Sequence, residues 1–159
     1  MTNATLDDAL ALVIAKFHGV TDKAGHPYIL HCLRVMLGVS GALTQQVAVM
    51  HDLIEDTDVT LADLTDMKFA DEVIEALKLV THVGRDSYAD YVVRLKANPL
   101  ARQVKIADLH DNYSLGRVAY REGNYTEDAC RIQRYILSYQ FLTDLIDEST
   151  YRQQMASVE

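Results

Sequence analysis

A histidine and an aspartate stand side by side in the run His51-Asp52-Leu53-Ile54-Glu55-Asp56-Thr57, with two more acids close behind. Upstream, Gly25-His26-Pro27-Tyr28-Ile29-Leu30-His31 adds a second imidazole. Downstream, Lys105-Ile106-Ala107-Asp108-Leu109-His110-Asp111-Asn112 adds another carboxylate. On a helix, His51 and Asp52 are roughly 100° apart, so both can reach a metal lying at the angle between them. Glu55 falls on the same face one turn on, and Asp56 lies one turn past Asp52. His31 and Asp108, from two neighbouring helices, complete a His-His-Asp-Asp set. Two neutral imidazoles and two carboxylates suit Mn²⁺, Fe²⁺ or Zn²⁺. A closed structural zinc site would more often carry cysteines. The chemistry this set can perform is metal-assisted hydrolysis.

A metal in such a site lowers the pKa of a bound water and draws charge from a phosphoryl oxygen. Glu55 is placed to orient or deprotonate that water. Asp56 either supports the hydrogen-bond network or, with Thr57, caps the helix end. Lys105 sits one turn before Asp108 and Arg34 one turn after His31. Each either faces a phosphate or pairs with Glu55 or Asp56. Arg85 and Tyr88 are read as phosphate contacts or as exposed loop residues. His18, His26 and His110 are assigned surface or core roles.

Helical periodicity dominates the elements that must position these groups. Leu6, Leu10, Val13, Ile14 and Phe17 recur at helical spacing up to Gly19. A second helix is expected over residues 28–39, with Pro27 at its start, where a missing N–H costs nothing. Thr44 reads as the N-cap of a third, carrying Val47, Ala48, Met50 and His51. Thr60-Leu61-Ala62-Asp63 matches a capping box with Asp in place of Glu. Further helices are expected over 71–80, 88–96 and 100–115. A long one follows Thr126, with Ile132, Ile136, Tyr139, Gln140 and Leu145 as one face. The tail from Thr150 reads as loose. Strand signals are almost absent, and there is no repeat or low-complexity segment.

At 159 residues, 49% of them hydrophobic, the chain reads as one domain over 1–159. A formal net charge of −8 argues against binding polymeric nucleic acid or an anionic membrane, which clustered Lys and Arg would serve. A small anionic substrate stays open, because local cations and a metal set the field at a site. No leader-like or membrane-spanning run is read. Cys32 and Cys130 make no disulfide framework and are expected as buried free thiols, consistent with a cytoplasmic location.

The three segments resemble the HD-domain phosphohydrolases, and more narrowly the hydrolase domain of RelA/SpoT proteins and the stand-alone small alarmone hydrolases. That family carries Gly-x-Pro-Tyr-Ile-x-His, His-Asp-x-x-Glu-Asp-Thr, a Val-Thr step and Lys-x-Ala-Asp. Here these are Gly25 to His31, His51 to Thr57, Val80-Thr81, and Lys105 to Asp108. The resemblance covers residues 20–140. It implies an all-helical fold, a single Mn²⁺ and removal of the 3′-pyrophosphate from ppGpp-like alarmones. It assigns the metal to His31, His51, Asp52 and Asp108, and the handling of water to Glu55 and Asp56. It gives substrate contacts to Asn112 and Lys23, and to Arg131 and Tyr135 through an Arg-x-x-x-Tyr pattern.

Three positions depart from the family pattern. Asp22-Lys23 stands where Arg-Lys is common, which removes a planar, stacking cation and adds a negative charge. His82 replaces a lysine after Val-Thr, so a fixed charge becomes conditional at neutral pH. The stretch after Asp108 reads Leu109-His110-Asp111. The metal set is intact, whereas base recognition is altered. Adenosine alarmones, or another nucleotide substrate of the wider HD group, are therefore the alternative. A non-catalytic nucleotide sensor is a third reading, opposed by the intact Glu55 and Asp56. The tyrosines Tyr135 and Tyr139 leave two roles open, a homo-oligomer contact or closure of the domain's own core.

Overall fold

The computed structural model of the chain describes residues 3–82, 84, 86–114 and 122–158. Among them are ten helices and, as extended structure, an isolated antiparallel bridge between Thr21 and Pro27. The helices are α1 (Leu6–Lys16), α2 (Ile29–Leu37), α3 (Ala42–Met50), α4 (Leu53–Asp56), α5 (Leu61–Asp66), α6 (Asp71–Val80), α7 (Tyr88–Leu95), α8 (Pro99–Tyr113), α9 (Tyr125–Leu142) and α10 (Glu148–Met155).

The core is organised around α3. Val47, Ala48, Val49 and Met50 are each fully buried, so this helix is apolar on every side at its C-terminal end. Such a helix must be enclosed, and α1, α2, α6 and α8 pack around it. The helix that ends at His51 is therefore packed on several sides. Local signals set several boundaries. Thr60 caps α5 in a reciprocal capping box with Asp63, as the sequence pattern predicts. Pro99 occupies the first turn of α8, and the Asn98 side chain accepts from Ala101 N.

Four expectations are corrected. Gly41, at φ +96°, is the N-cap of α3, and Thr44 is buried within its first turn. The helix breaks at His51-Asp52, where Asp52 (φ −97°, ψ −1°) precedes the short α4. The buried face of α9 is Leu137, Ser138, Phe141 and Leu142, whereas Tyr139 and Leu145 are exposed. Cys130 is only partly buried, unlike Cys32.

The tail from Thr150 is also not loose. It forms α10, capped by Asp147, and buries Tyr151 and Met155 completely. The Tyr151 ring stacks on Phe141 with centroids 4.6 Å apart, and its hydroxyl hydrogen-bonds Ser138 Oγ at 2.9 Å. Met155→Ala should lower unfolding stability by about 2–5 kcal/mol, the usual cost of truncating a buried methionine. Urea denaturation reads this directly, and a change within error would show that α10 adds nothing to the core.

Candidate metal centre

Three elements converge on one buried point. His31 comes from the first turn of α2, His51 from the end of α3 and Asp108 from the third turn of α8, and none is more than 6% exposed. Ligand-capable atoms of these three residues all lie within 4.8 Å of one another. The two Nε2 atoms are 3.2 Å apart. Asp108 Oδ1 is 3.4 Å from His31 Nε2 and 3.6 Å from His51 Nε2. Asp52 stands just outside this tight trio, with Oδ2 at 3.0 Å from His51 Nε2 and 3.5 Å from His31 Nε2.

These spacings fit a single divalent ion. Ligand atoms each at about 2.1 Å from one ion lie roughly 3.0 Å apart at a right angle and roughly 3.4 Å apart at a tetrahedral angle. The hydrogen bonding of the rings fits too. His51 Nδ1 donates to the Ala48 carbonyl at 2.8 Å, and His31 Nδ1 donates to Asp111 Oδ2 at 2.6 Å. Both protons therefore sit on Nδ1, and both Nε2 lone pairs aim at the same space. Two such lone pairs 3.2 Å apart repel unless a proton or a cation lies between them.

The surrounding charges favour that cation. Burial opposes charging His31, yet its hydrogen bonds with Asp108, Asp111 and Asp52 outweigh burial and push its pKa up to about 9. His51 is likewise raised, against burial, by Asp52 and Asp108. Burial raises Asp108, but the adjacent Lys105 ammonium, with His31 and His51, holds its carboxyl well below the usual range. Asp52 is also held low against burial, by His51 and His31.

The remaining site residues of the sequence reading fall into separate places. Asp56, Lys23, Asn112, Arg131 and Tyr135 line one open cleft of about 1700 Å³ between the 20–28 turn, α2, α8 and α9. Burial and the charges of Asp52 and Glu55 raise the Asp56 pKa. Thr57 closes the helix end itself, donating to Leu53 O at 2.6 Å, so Asp56 is not needed as a cap. Asn112 also reaches back, its Nδ2 donating to Asp108 Oδ1 at 2.6 Å. Arg131 pairs with Asp128 at 3.1 Å. Tyr139 lines the cleft as well.

Lys105 and Glu55 lie apart from that cleft. Lys105 lies beneath the Tyr88 and Tyr91 rings, with Nζ 2.9 Å from Asp108 Oδ2. Glu55 is exposed and lines a smaller hollow of about 360 Å³ with Thr81 and His82, its Oε2 accepting from His82 N at 3.2 Å. Tyr88 is packed against His82 and Tyr91 rather than held in an exposed loop, and Arg85 lies outside the described residues.

Three further groups serve the cluster that sequence reasoning did not single out. The Tyr28 hydroxyl donates to Asp52 Oδ2 at 2.5 Å. Asp111 holds His31 and also accepts from Arg34 Nε at 2.6 Å, so Arg34 pairs with neither Glu55 nor Asp56. The Ala48 carbonyl orients His51. The signal available was spacing. Tyr28 lies three residues before His31 and Asp111 three after Asp108, each one helical turn from an expected ligand.

Asp22 has a structural role. Its Oδ1 accepts from Ala24 N at 2.9 Å and His26 N at 3.0 Å, and its N–H donates to His26 O at 2.8 Å. Gly25, at φ +83°, completes the turn. The carboxylate thus shapes the loop that carries Lys23.

No protein-family profile matches the chain. Over 102 residues, 57% of the chain, it is 28% identical to the guanosine-3′,5′-bis(diphosphate) 3′-pyrophosphohydrolase of Aquifex aeolicus (strain VF5). It spans only 14% of that protein's length. A solved structure described as a metazoan ortholog of SpoT that hydrolyses ppGpp and plays a role in starvation responses superposes with a TM-score of 0.61. The match covers 99% of this chain and 95% of that one at 17% identity. The chain thus shares the all-α fold of that solved structure, and among its described residues is a buried His-His-Asp cluster able to hold a metal ion. Among the described residues no helix is long and apolar enough to cross a membrane.

Proposed function

We propose that the chain hydrolyses the 3′-pyrophosphate of a guanosine alarmone, ppGpp or pppGpp, to GDP or GTP and pyrophosphate. The observation that carries this reading is the convergence of His31, His51, Asp52 and Asp108 beside a cleft lined by Lys23, Asn112, Arg131 and Tyr135. These four residues would hold the ion, Mn²⁺ in this reading, which supplies Lewis acidity and an acidified water when bound. The relatives' activities on ppGpp support the choice of substrate.

In this reading the protein groups take the following roles. Water adds across the bond between the ribose 3′ oxygen and the pyrophosphate, leaving a 3′-hydroxyl. Glu55, whose described hydrogen bond is from His82 N, is assigned the proton of that water. Asp56 holds the network on the cleft side. Lys23 and Arg131 neutralise the phosphates. Tyr135 offers an aromatic face to the base. Lys105, paired with Asp108 and buried, fixes the carboxylate oxygen left over by the cluster. The nucleotide is the partner this reading requires, taken by one chain or by a homo-oligomer.

The competing base is adenine, because Asp22 supplies no planar cation and its carboxylate is occupied within the turn. The test is Mn²⁺-dependent product release from ppGpp and ppApp side by side, resolved by anion-exchange chromatography. Pyrophosphate with GDP, formed faster than with ADP, supports the proposal. Faster ADP formation reassigns the base. No cleavage of either by metal-loaded protein overturns the alarmone reading and leaves the wider HD phosphohydrolases or a sensor.

Metal affinity should depend on pH with a definite sign. In the metal-free protein His31 holds its proton up to about pH 9, and a metal needs the neutral ring. Affinity should therefore fall as pH drops below about 9, by roughly tenfold per pH unit for each proton displaced. Competition titrations at three pH values would read this. A flat profile from pH 6 to 8 would show that no proton competes.

A further inference from the structure

Asp111 stands outside the ligand set, yet its carboxylate joins two groups on α2. Oδ2 accepts from His31 Nδ1 at 2.6 Å. Oδ1 accepts from Arg34 Nε at 2.6 Å, while Arg34 Nη2 reaches Oδ2 at 3.3 Å. His31 and Arg34 share one face of α2, a turn apart, and Asp108 and Asp111 share one face of α8 at the same spacing. The two faces meet in rungs: His31 beside Asp108, Arg34 beside Asp111, with the His31–Asp111 bond as the diagonal.

We propose that Asp111 is a positioning residue that fixes the tautomer and ring plane of His31 for metal binding, and that Arg34 is the clamp that fixes Asp111. An imidazole with no partner at Nδ1 divides between tautomers and can turn about its side-chain bonds. Only one tautomer leaves the Nε2 lone pair facing the cluster. A carboxylate at Nδ1 selects that tautomer and makes Nε2 the stronger donor. His51 receives the same service from a neutral backbone carbonyl, which cannot swing away. Asp111 is a side chain and must itself be held. The planar guanidinium of Arg34 does this with two donors, a geometry a single ammonium cannot reproduce. Arg34 is nearly half exposed and lines the cleft, so the clamp joins the buried ligand to the surface a nucleotide would occupy.

This inference rests on the metal-binding half of the proposed function and is independent of the substrate. The experiment compares wild type with D111A, D111N, R34A and the R34A/D111A double variant. Each is stripped of metal and titrated with Mn²⁺ against a fluorescent chelator. D111A should bind roughly 10–100-fold more weakly, the usual effect of losing an outer partner of a metal-bound histidine. D111N should lose less, because its side-chain carbonyl still accepts from Nδ1. R34A should show a smaller loss that vanishes in the D111A background.

A spectroscopic readout separates positioning from general support of the fold. In metal-free protein at alkaline pH, where the His31 ring is neutral, its ring nitrogens should report one Nδ1–H tautomer for wild type and a broadened mixture for D111A. Thermal midpoints of the metal-free proteins provide the control. Wild-type Mn²⁺ affinity in D111A overturns the role of Asp111, and an undiminished R34A effect in the D111A background overturns the clamp. If D111A does not fold, D111N and R34A carry the same comparison. Protein whose Mn²⁺ affinity depends on Asp111 but which cleaves neither ppGpp nor ppApp overturns the proposed substrate and supports this inference.

Discussion

Replacing Asp52 by alanine should leave a folded protein that retains no metal and turns over no substrate. The expectation follows from what converges on that carboxylate. Oδ2 lies within 3.5 Å of both imidazole Nε2 atoms and accepts from the Tyr28 hydroxyl. Its removal takes a carboxylate oxygen from beside the cluster and strips Tyr28 of a half-buried acceptor. One fewer negative charge then faces His31 and His51, and ions bound chiefly by charge suffer most. The fold should survive, because Asp52 sits at the break between α3 and α4 and adds no apolar contact to the core. Elemental analysis and turnover should fall together. Full metal occupancy in the variant would remove Asp52 from the ligand set.

Glu55→Ala should behave in the opposite way, keeping the metal while losing about 10²–10⁴-fold in turnover, the span typical of a positioned general base. Among the described residues Glu55 has no hydrogen bond to His31, His51, Asp52 or Asp108. Its described hydrogen bond is from His82 N, at the rim of a hollow separate from the main cleft. Truncation therefore leaves His31, His51, Asp52 and Asp108 and their hydrogen bonds untouched. Metal content equal to wild type with turnover reduced in this range would support the role. Turnover equal to wild type would transfer the proton-accepting role to Asp56, which faces the cleft.

Much of the fold was legible because its signals are local. The Thr60–Asp63 capping box and the limits of α6 each depend on a few adjacent residues, and each appears where the pattern placed it. The misreadings share a physical cause. In α10 the apolar content is two residues a turn apart, Tyr151 and Met155, amid polar neighbours, too few to establish a period. Packing on α9 and an ion pair from Arg152 to Asp90 of α7 give the helix a reason to form. In α9 the expected apolar face includes Ile132, which lines the cleft instead, so an apolar stripe meant for a site looked like one meant for the core. For α3, a glycine N-cap at positive φ leaves no side-chain signal, and the nearby threonine drew the assignment.

The site divides along the same line. The residues that converge in the cluster were legible because three short runs of distinctive chemistry carry them. Two supports were not: Tyr28 acquires its role by reaching Asp52, and Asp111 by meeting His31 and Arg34 once α2 lies against α8. The break at His51-Asp52 was equally hidden. A continuous helix would have carried Glu55 along the same face as the ligands, whereas the kinked chain sets it beside His82.

Ala48 serves two masters. Its methyl group is wholly enclosed among the helices around α3, while its carbonyl orients the His51 ring. A larger residue there would have to push the helix aside, and the carbonyl would move with it. Drift in core composition and drift in ligand geometry are thus the same event at this position. Substitutions elsewhere in the interior that a generic helical bundle would absorb by small shifts are filtered here by whether the imidazole still points inward. The interior of this protein has less sequence latitude than its packing alone would require.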